Sequence, residues 1–118
     1  MAILFEEAEG SACMYALQES QPRLISAVNY VETGTVMAER IKGGDRRAAI
    51  AALDAFLSDF HIDVASVDDR QARAAMQARI EYGQGFGTRG GLNFGDCFAY
   101  ALAKQNAAKG ACPCVIVA

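Results

Sequence analysis

Three short apolar runs of strand length, far apart and separated by stretches of helical periodicity, constrain this chain more than any other feature. They are Arg23 to Val28 (RLISAV), His61 to Val67 (HIDVASV) and Cys114 to Ala118 (CVIVA). Strands joined through helices have the length of connection that parallel pairing requires, where an antiparallel hairpin needs only a tight turn. The alternation predicts an α/β fold with a small, mainly parallel sheet covered by helices on both faces. Three strands are few for such a sheet. The opening, Met1-Ala2-Ile3-Leu4-Phe5-Glu6-Glu7, reads as the start of a helix that runs to about Glu9 and stops at Gly10. On this reading the strand expected before that helix is missing.

The helical stretches have identifiable ends. Ser11 caps a short helix to about Glu19, and Pro22 closes it. Asn29 opens a helix to about Lys42, with Val31, Thr35, Ala38 and Ile41 at helical spacing. Gly43-Gly44-Asp45 is a stop and restart. Arg46 to Asp59 follows, with Ile50, Leu53, Phe56 and Leu57 on one face. Asp68 caps a helix to about Tyr82. A glycine-rich loop from Gly83 to Gly91 leads to the last helix, which Asn93 opens and which runs to about Lys109. No linker, repeat or low-complexity tract interrupts the series, so residues 1–118 read as one domain.

Composition removes several functional classes. Hydrophobic residues at 53% and charged residues at 21% fit a folded core and exclude a disordered chain. No apolar run approaches the roughly 20 residues of a membrane helix, and the N-terminus has no basic leader region. The expectation is a cytoplasmic protein with no membrane contact. Its four cysteines, Cys13, Cys97, Cys112 and Cys114, are then reduced thiols. With His61 as the only histidine, neither a zinc site nor a Cys-His nucleophile pair is expected. The net charge of -3 excludes nucleic-acid binding through charge alone. It does not exclude a metal-dependent nuclease, whose site is itself acidic. The arginines, in Arg40-Arg46-Arg47 and Arg70-Arg73-Arg79 groups, read as solvated helix faces.

Two carboxylates stand out. Glu32 and Asp96 each follow by three residues an asparagine, Asn29 or Asn93, that opens a helix. One reading is local: asparagine caps the helix and the acid completes a capping box. The other is chemical. Glu32 lies just past a strand's carboxyl end, where ligand sites of open α/β sheets gather, and Asp96 follows a glycine-rich loop. Brought together, the two would bind Mg²⁺ or Mn²⁺ through oxygen. The loop itself suggests a phosphate cradle, but it lacks the Gly-Lys-Ser/Thr ending of a P-loop and follows no strand, so a flexible loop is the better reading. A small nucleotide-binding module remains a rival on that loop alone. Phe94, Phe98, Tyr100 and Leu102 read as helix packing.

The segment Gly91-Leu92-Asn93-Phe94-Gly95-Asp96-Cys97-Phe98-Ala99-Tyr100-Ala101-Leu102-Ala103-Lys104 strongly resembles the signature of VapC-type PIN-domain toxins. Ser26-Ala27-Val28-Asn29-Tyr30-Val31-Glu32 resembles a second block of that family, and Met1 to Gly10 resembles its first helix. The resemblance covers the chain to about Gly110. It implies a three-layer α/β/α sandwich and a Mg²⁺- or Mn²⁺-dependent endoribonuclease acting on RNA such as tRNA or rRNA. It also implies a cognate antitoxin that blocks the site, and a homodimer. By the same resemblance Glu32 and Asp96 are metal ligands, and Asn93 orients Asp96 or the RNA backbone. The family's opening strand, ending in an Asp-Thr-Ser-Ala motif, has no counterpart here, and no acid follows Asp96. The expectation is therefore a chain that starts late relative to the family and is altered near its C-terminus. The alternative to an active nuclease is an inactive remnant that binds antitoxin or self-associates.

Overall fold

The computed structural model describes residues 2–4, 23–83, 91–108 and 114–117. The helix expected from Ser11 and most of the glycine-rich loop lie outside the described residues. Within them the elements are β1 (Ala2–Leu4), β2 (Arg23–Ser26), α1 (Ala27–Glu39), α2 (Ala48–Asp59), β3 (Ile62–Ala65), α3 (Asp69–Tyr82), α4 (Phe94–Ala108) and β4 (Cys114–Val117). The strands form one sheet in the order β1-β4-β2-β3. β2 runs parallel to β3, Arg23 opposite Ile62 through Ser26 opposite Ala65. It also runs parallel to β4, with Ile25 opposite Ile116.

β1 corrects the reading of the opening as helix. Ala2–Leu4 is an edge strand, antiparallel to β4, with Ala2 opposite Val117 and Leu4 opposite Val115. Three consecutive apolar residues carry no periodicity from which helix and strand can be told apart. Their backbone finds its partners on the open edge of β4, a contact that local sequence does not encode.

Neighbouring residues of β2 point to opposite faces and show how the layers form. Ile25 packs with Leu53 and Leu57 of α2 and Ile62 of β3, flanked by Tyr30 and Met37 of α1. Leu24, with Ala65 and Ala103, packs against Ala99 and Leu102 of α4. Helices thus cover both faces, giving the expected three layers. α3 adds to the α4 side through a seam of small residues, Ala75 and Ala78 against Cys97 and Ala101. Small side chains there let the two helices approach closely. On the other side, Tyr30 donates a 2.6 Å hydrogen bond to Asp54 Oδ1, tying α1 to α2. That bond is the main cause of the rise of the Tyr30 phenol above its ordinary pKa.

Two connections are sharper than the sequence suggested. α2 starts at Ala48, because Asp45 first closes a turn by accepting the Arg47 N–H at 2.9 Å through its side chain and the Ala48 N–H at 3.0 Å through its carbonyl. The helix ends at Asp59, and two residues on comes His61, whose φ of 53° is left-handed and whose N–H donates to the Ser58 carbonyl at 3.2 Å. A left-handed residue after the last turn redirects the chain straight into β3, at a cost of about 1 kcal/mol for a residue with a Cβ. The chain's one histidine is thus an exposed helix terminator. No helix among the described residues is long and apolar enough to cross a membrane.

Candidate active site

The carboxyl ends of β2 and β3 meet the first turns of α1, α3 and α4, and buried polar residues concentrate there. β2 passes into α1 without a loop. Ser26 holds the N-cap position, with extended backbone at φ −63° and ψ 145°, yet its hydroxyl makes no capping bond. It donates instead to Gln71 Oε1 at 2.8 Å, in a buried contact. Gln71 in turn donates to the Ser66 carbonyl at 3.3 Å, and its backbone N–H is capped by Asp68 Oδ1 at 2.7 Å. Asp68 therefore caps α3 as its sequence position suggested. Ser26 and Gln71 pin the end of β2 to the segment that follows β3.

The next turn of α1 reaches across to α4. Because α1 begins at Ala27, Asn29 lies inside its first turn and is not the cap that the spacing suggested. Its side chain is buried, at 1% exposure. The Nδ2 group donates to the Gly95 carbonyl at 3.0 Å and to Glu32 Oε1 at 3.1 Å. Glu32, one turn further on and half-buried, lays its carboxylate against the backbone of Gly95, so closely that a Cβ on Gly95 would overlap it. Glycine leaves room for the Glu32 carboxylate here by close approach, not through an unusual backbone angle.

Asp96, the residue after Gly95, is held by a different device. The Asp96 N–H donates to Asn93 Oδ1 at 2.8 Å, and the Asn93 N–H donates back to Asp96 Oδ2 at 3.2 Å. This is a reciprocal capping box at the start of α4. Asn93 is exposed and Asp96 half-buried. The helix dipole favours a carboxylate in this turn.

Glu32, Asn93 and Asp96 are thus gathered at one place, Glu32 touching the residue between the other two. Sequence reasoning passed over Asn29 as a cross-link, Gly95 as its seat and the Ser26–Gln71 pair. The signal for Asn29 was present: a polar residue directly continuing an apolar strand, three positions before an acid on the same helix face. Phe98, Tyr100 and Leu102 pack as expected, but Phe94 is 56% exposed beside Asp96, its ring 5.1 Å from that of Phe98.

The donor set suits a hard divalent cation. Both acids offer oxygen, and Glu32 Oε2 and Asp96 Oδ1 hold no hydrogen bond among the described residues. Asn29 Oδ1 is a buried acceptor with no donor among them. Such an atom is costly in a dry core and suits the edge of a site that holds a hydrated ion. The described residues bring together no group of three or more acids, histidines or cysteines. Mg²⁺ does not demand one, since it commonly binds one or two carboxylates and keeps several waters. Cys97 follows Asp96 but is no nucleophile: it is buried, and burial pushes its thiol up, away from the reactive thiolate.

Comparison with known proteins bears on the same region. The PIN domain family profile matches residues 1–111. Ribonuclease VapC28 of Mycobacterium tuberculosis is 39% identical over 104 residues, covering 87% of this chain and 74% of the relative. Ribonuclease VapC42 of the same species is 39% identical over 104 residues, with 88% and 76% covered. Ribonuclease VapC of Mycolicibacterium smegmatis is 38% identical over 105 residues, with 88% and 77% covered.

Proposed function

The chain belongs to the PIN domain family, in its VapC branch, and from that premise we propose that it is a metal-dependent endoribonuclease toxin whose site is built on Glu32 and Asp96. The observation that carries this reading is the seating of the Glu32 carboxylate on Gly95, next to Asp96. The Glu32 carboxylate, remote in sequence, thus lies against the residue that precedes Asp96. Glu32 and Asp96 would hold a divalent ion, Mg²⁺ or Mn²⁺, which would supply an activated water and charge neutralisation at a phosphodiester.

The chain's own residues have separate tasks. Glu32 and Asp96 supply oxygen ligands, directly or through water. The Asn93 backbone N–H holds Asp96 Oδ2, and the Asn93 side chain accepts the Asp96 N–H, so Asp96 Oδ1 stays without a hydrogen bond among the described residues. The start of α4 supplies a positive dipole end that attracts phosphate. The substrate is RNA, with tRNA and rRNA as the candidates. The partner is a cognate antitoxin that covers the site, and the working unit is a homodimer.

The test is cleavage of total RNA by the purified chain with Mg²⁺ or Mn²⁺, against EDTA. Asp96→Asn and Glu32→Gln should each slow cleavage by about 100-fold or more while the chain stays folded. Cleavage that survives EDTA, or that Asp96→Asn leaves intact, overturns the assignment.

A further inference from the structure

We propose that Asn29 is a positioning residue of this site: it clamps the Glu32 carboxylate to the first turn of α4 and so sets the spacing between Glu32 and Asp96. The inference rests on the reading of Glu32 and Asp96 as the cation-binding pair.

The geometry is specific. A carboxamide nitrogen has two hydrogens. Asn29 directs one to the Gly95 carbonyl at 3.0 Å and the other to Glu32 Oε1 at 3.1 Å. A cross-link between α1 and α4 needs only the first bond. The second serves Glu32 alone. A glutamate side chain has three rotatable bonds, and ordering it costs about 1–2 kcal/mol. Here that order comes from a partner that is 1% exposed and is itself bonded to the Gly95 carbonyl. One amide therefore grips both the acid on α1 and the backbone next to the acid on α4. It takes only one oxygen of Glu32, leaving Oε2 for a ligand. Groups that orient a metal ligand in this way typically change metal affinity by about 10- to 100-fold when removed.

The experiment is Mn²⁺ binding to the intact chain by titration calorimetry, with a thermal melt of each variant as the control for folding. Wild type, Asn29→Ala, Glu32→Gln and the double variant are compared. We expect Asn29→Ala to weaken Mn²⁺ binding about tenfold or more. The double variant should bind no more weakly than Glu32→Gln alone, because Asn29 acts through Glu32. Wild-type affinity in Asn29→Ala, alongside a loss in Glu32→Gln, overturns the positioning role and leaves the cation-binding pair standing. Losses that multiply in the double variant also overturn it, since Asn29 then acts through the fold at large. Wild-type affinity in Glu32→Gln removes the underlying reading, and the role of Asn29 falls with it. Where Asn29→Ala melts without cooperativity, Asn29→Ser replaces it. Serine keeps one donor but cannot reach both acceptors, so the same loss is expected and the same wild-type affinity overturns the role.

Discussion

The first turns of α1 and α4 carry the same spacing, asparagine and then an acid three residues on, and use it in opposite ways. At α4 the pattern is local: Asn93 and Asp96 exchange two hydrogen bonds within four residues, at the surface. At α1 the pattern is tertiary: Asn29 is buried, bonds to Gly95 on another helix, and holds Glu32 against it. The difference comes from where each helix begins. α4 follows a loop, so its first polar residue falls at the cap. α1 follows β2 without a break, so Ser26 takes the cap position and Asn29 moves into the helix. Identical spacing therefore has no fixed meaning. The element before it decides whether the asparagine serves its own helix or reaches for a neighbour.

This contrast can be broken or sharpened by substitution. Among substitutions outside the two acids, the largest effect is expected at the point where the two starts touch. Gly95→Ala places a methyl group where the Glu32 carboxylate lies, and the carboxylate must swing away. We expect RNA cleavage to fall by about 10- to 100-fold, as small misplacements of catalytic groups do. Stability should hold to within ~1 kcal/mol, since alanine is the better helix former. Unchanged cleavage by Gly95→Ala would mean that the contact between the two starts has no bearing on the chemistry.

Next comes stability, read from urea denaturation. Asn29→Ala removes the buried bond to the Gly95 carbonyl and the bond to Glu32 and should cost about 2 kcal/mol. Asn93→Ala removes an exposed cap and should cost about 1 kcal/mol. If the second costs as much as the first, the distinction between a tertiary and a local asparagine fails. The smallest effect is reserved for Asn93→Gly. Glycine tolerates the cap position, so the loss should be only roughly 0.3 kcal/mol. A loss several times larger would show that Asn93 does more than cap.

Most of the fold was legible because its determinants are local. Periodicity in Arg46 to Asp59 and Asp68 to Tyr82 marked α2 and α3, and the spacing of RLISAV, HIDVASV and CVIVA implied parallel strands and crossovers. Ala2–Leu4 was misread because an edge strand is specified by its partner, and β4 lies at the other end of the chain. The site divided in the same way. The capping box of Asn93 and Asp96 was one of the two readings that the spacing offered, and both partners lie within one turn. Glu32 was found as an acid near a strand end, but Asn29 was misassigned and Gly95 overlooked, because each matters through a contact made across the fold.

The sequence by itself determined the order of elements from Arg23 onward and the chemistry of the candidate donors, consequences of residues a few positions apart. Only the tertiary structure decided that β2 runs unbroken into α1, that Asn29 is buried, and that the carboxylate of Glu32 rests on Gly95. The physical reason is one of range. A helix or a cap is stabilised by neighbours along the chain, whereas a buried amide must find its partners wherever packing brings them.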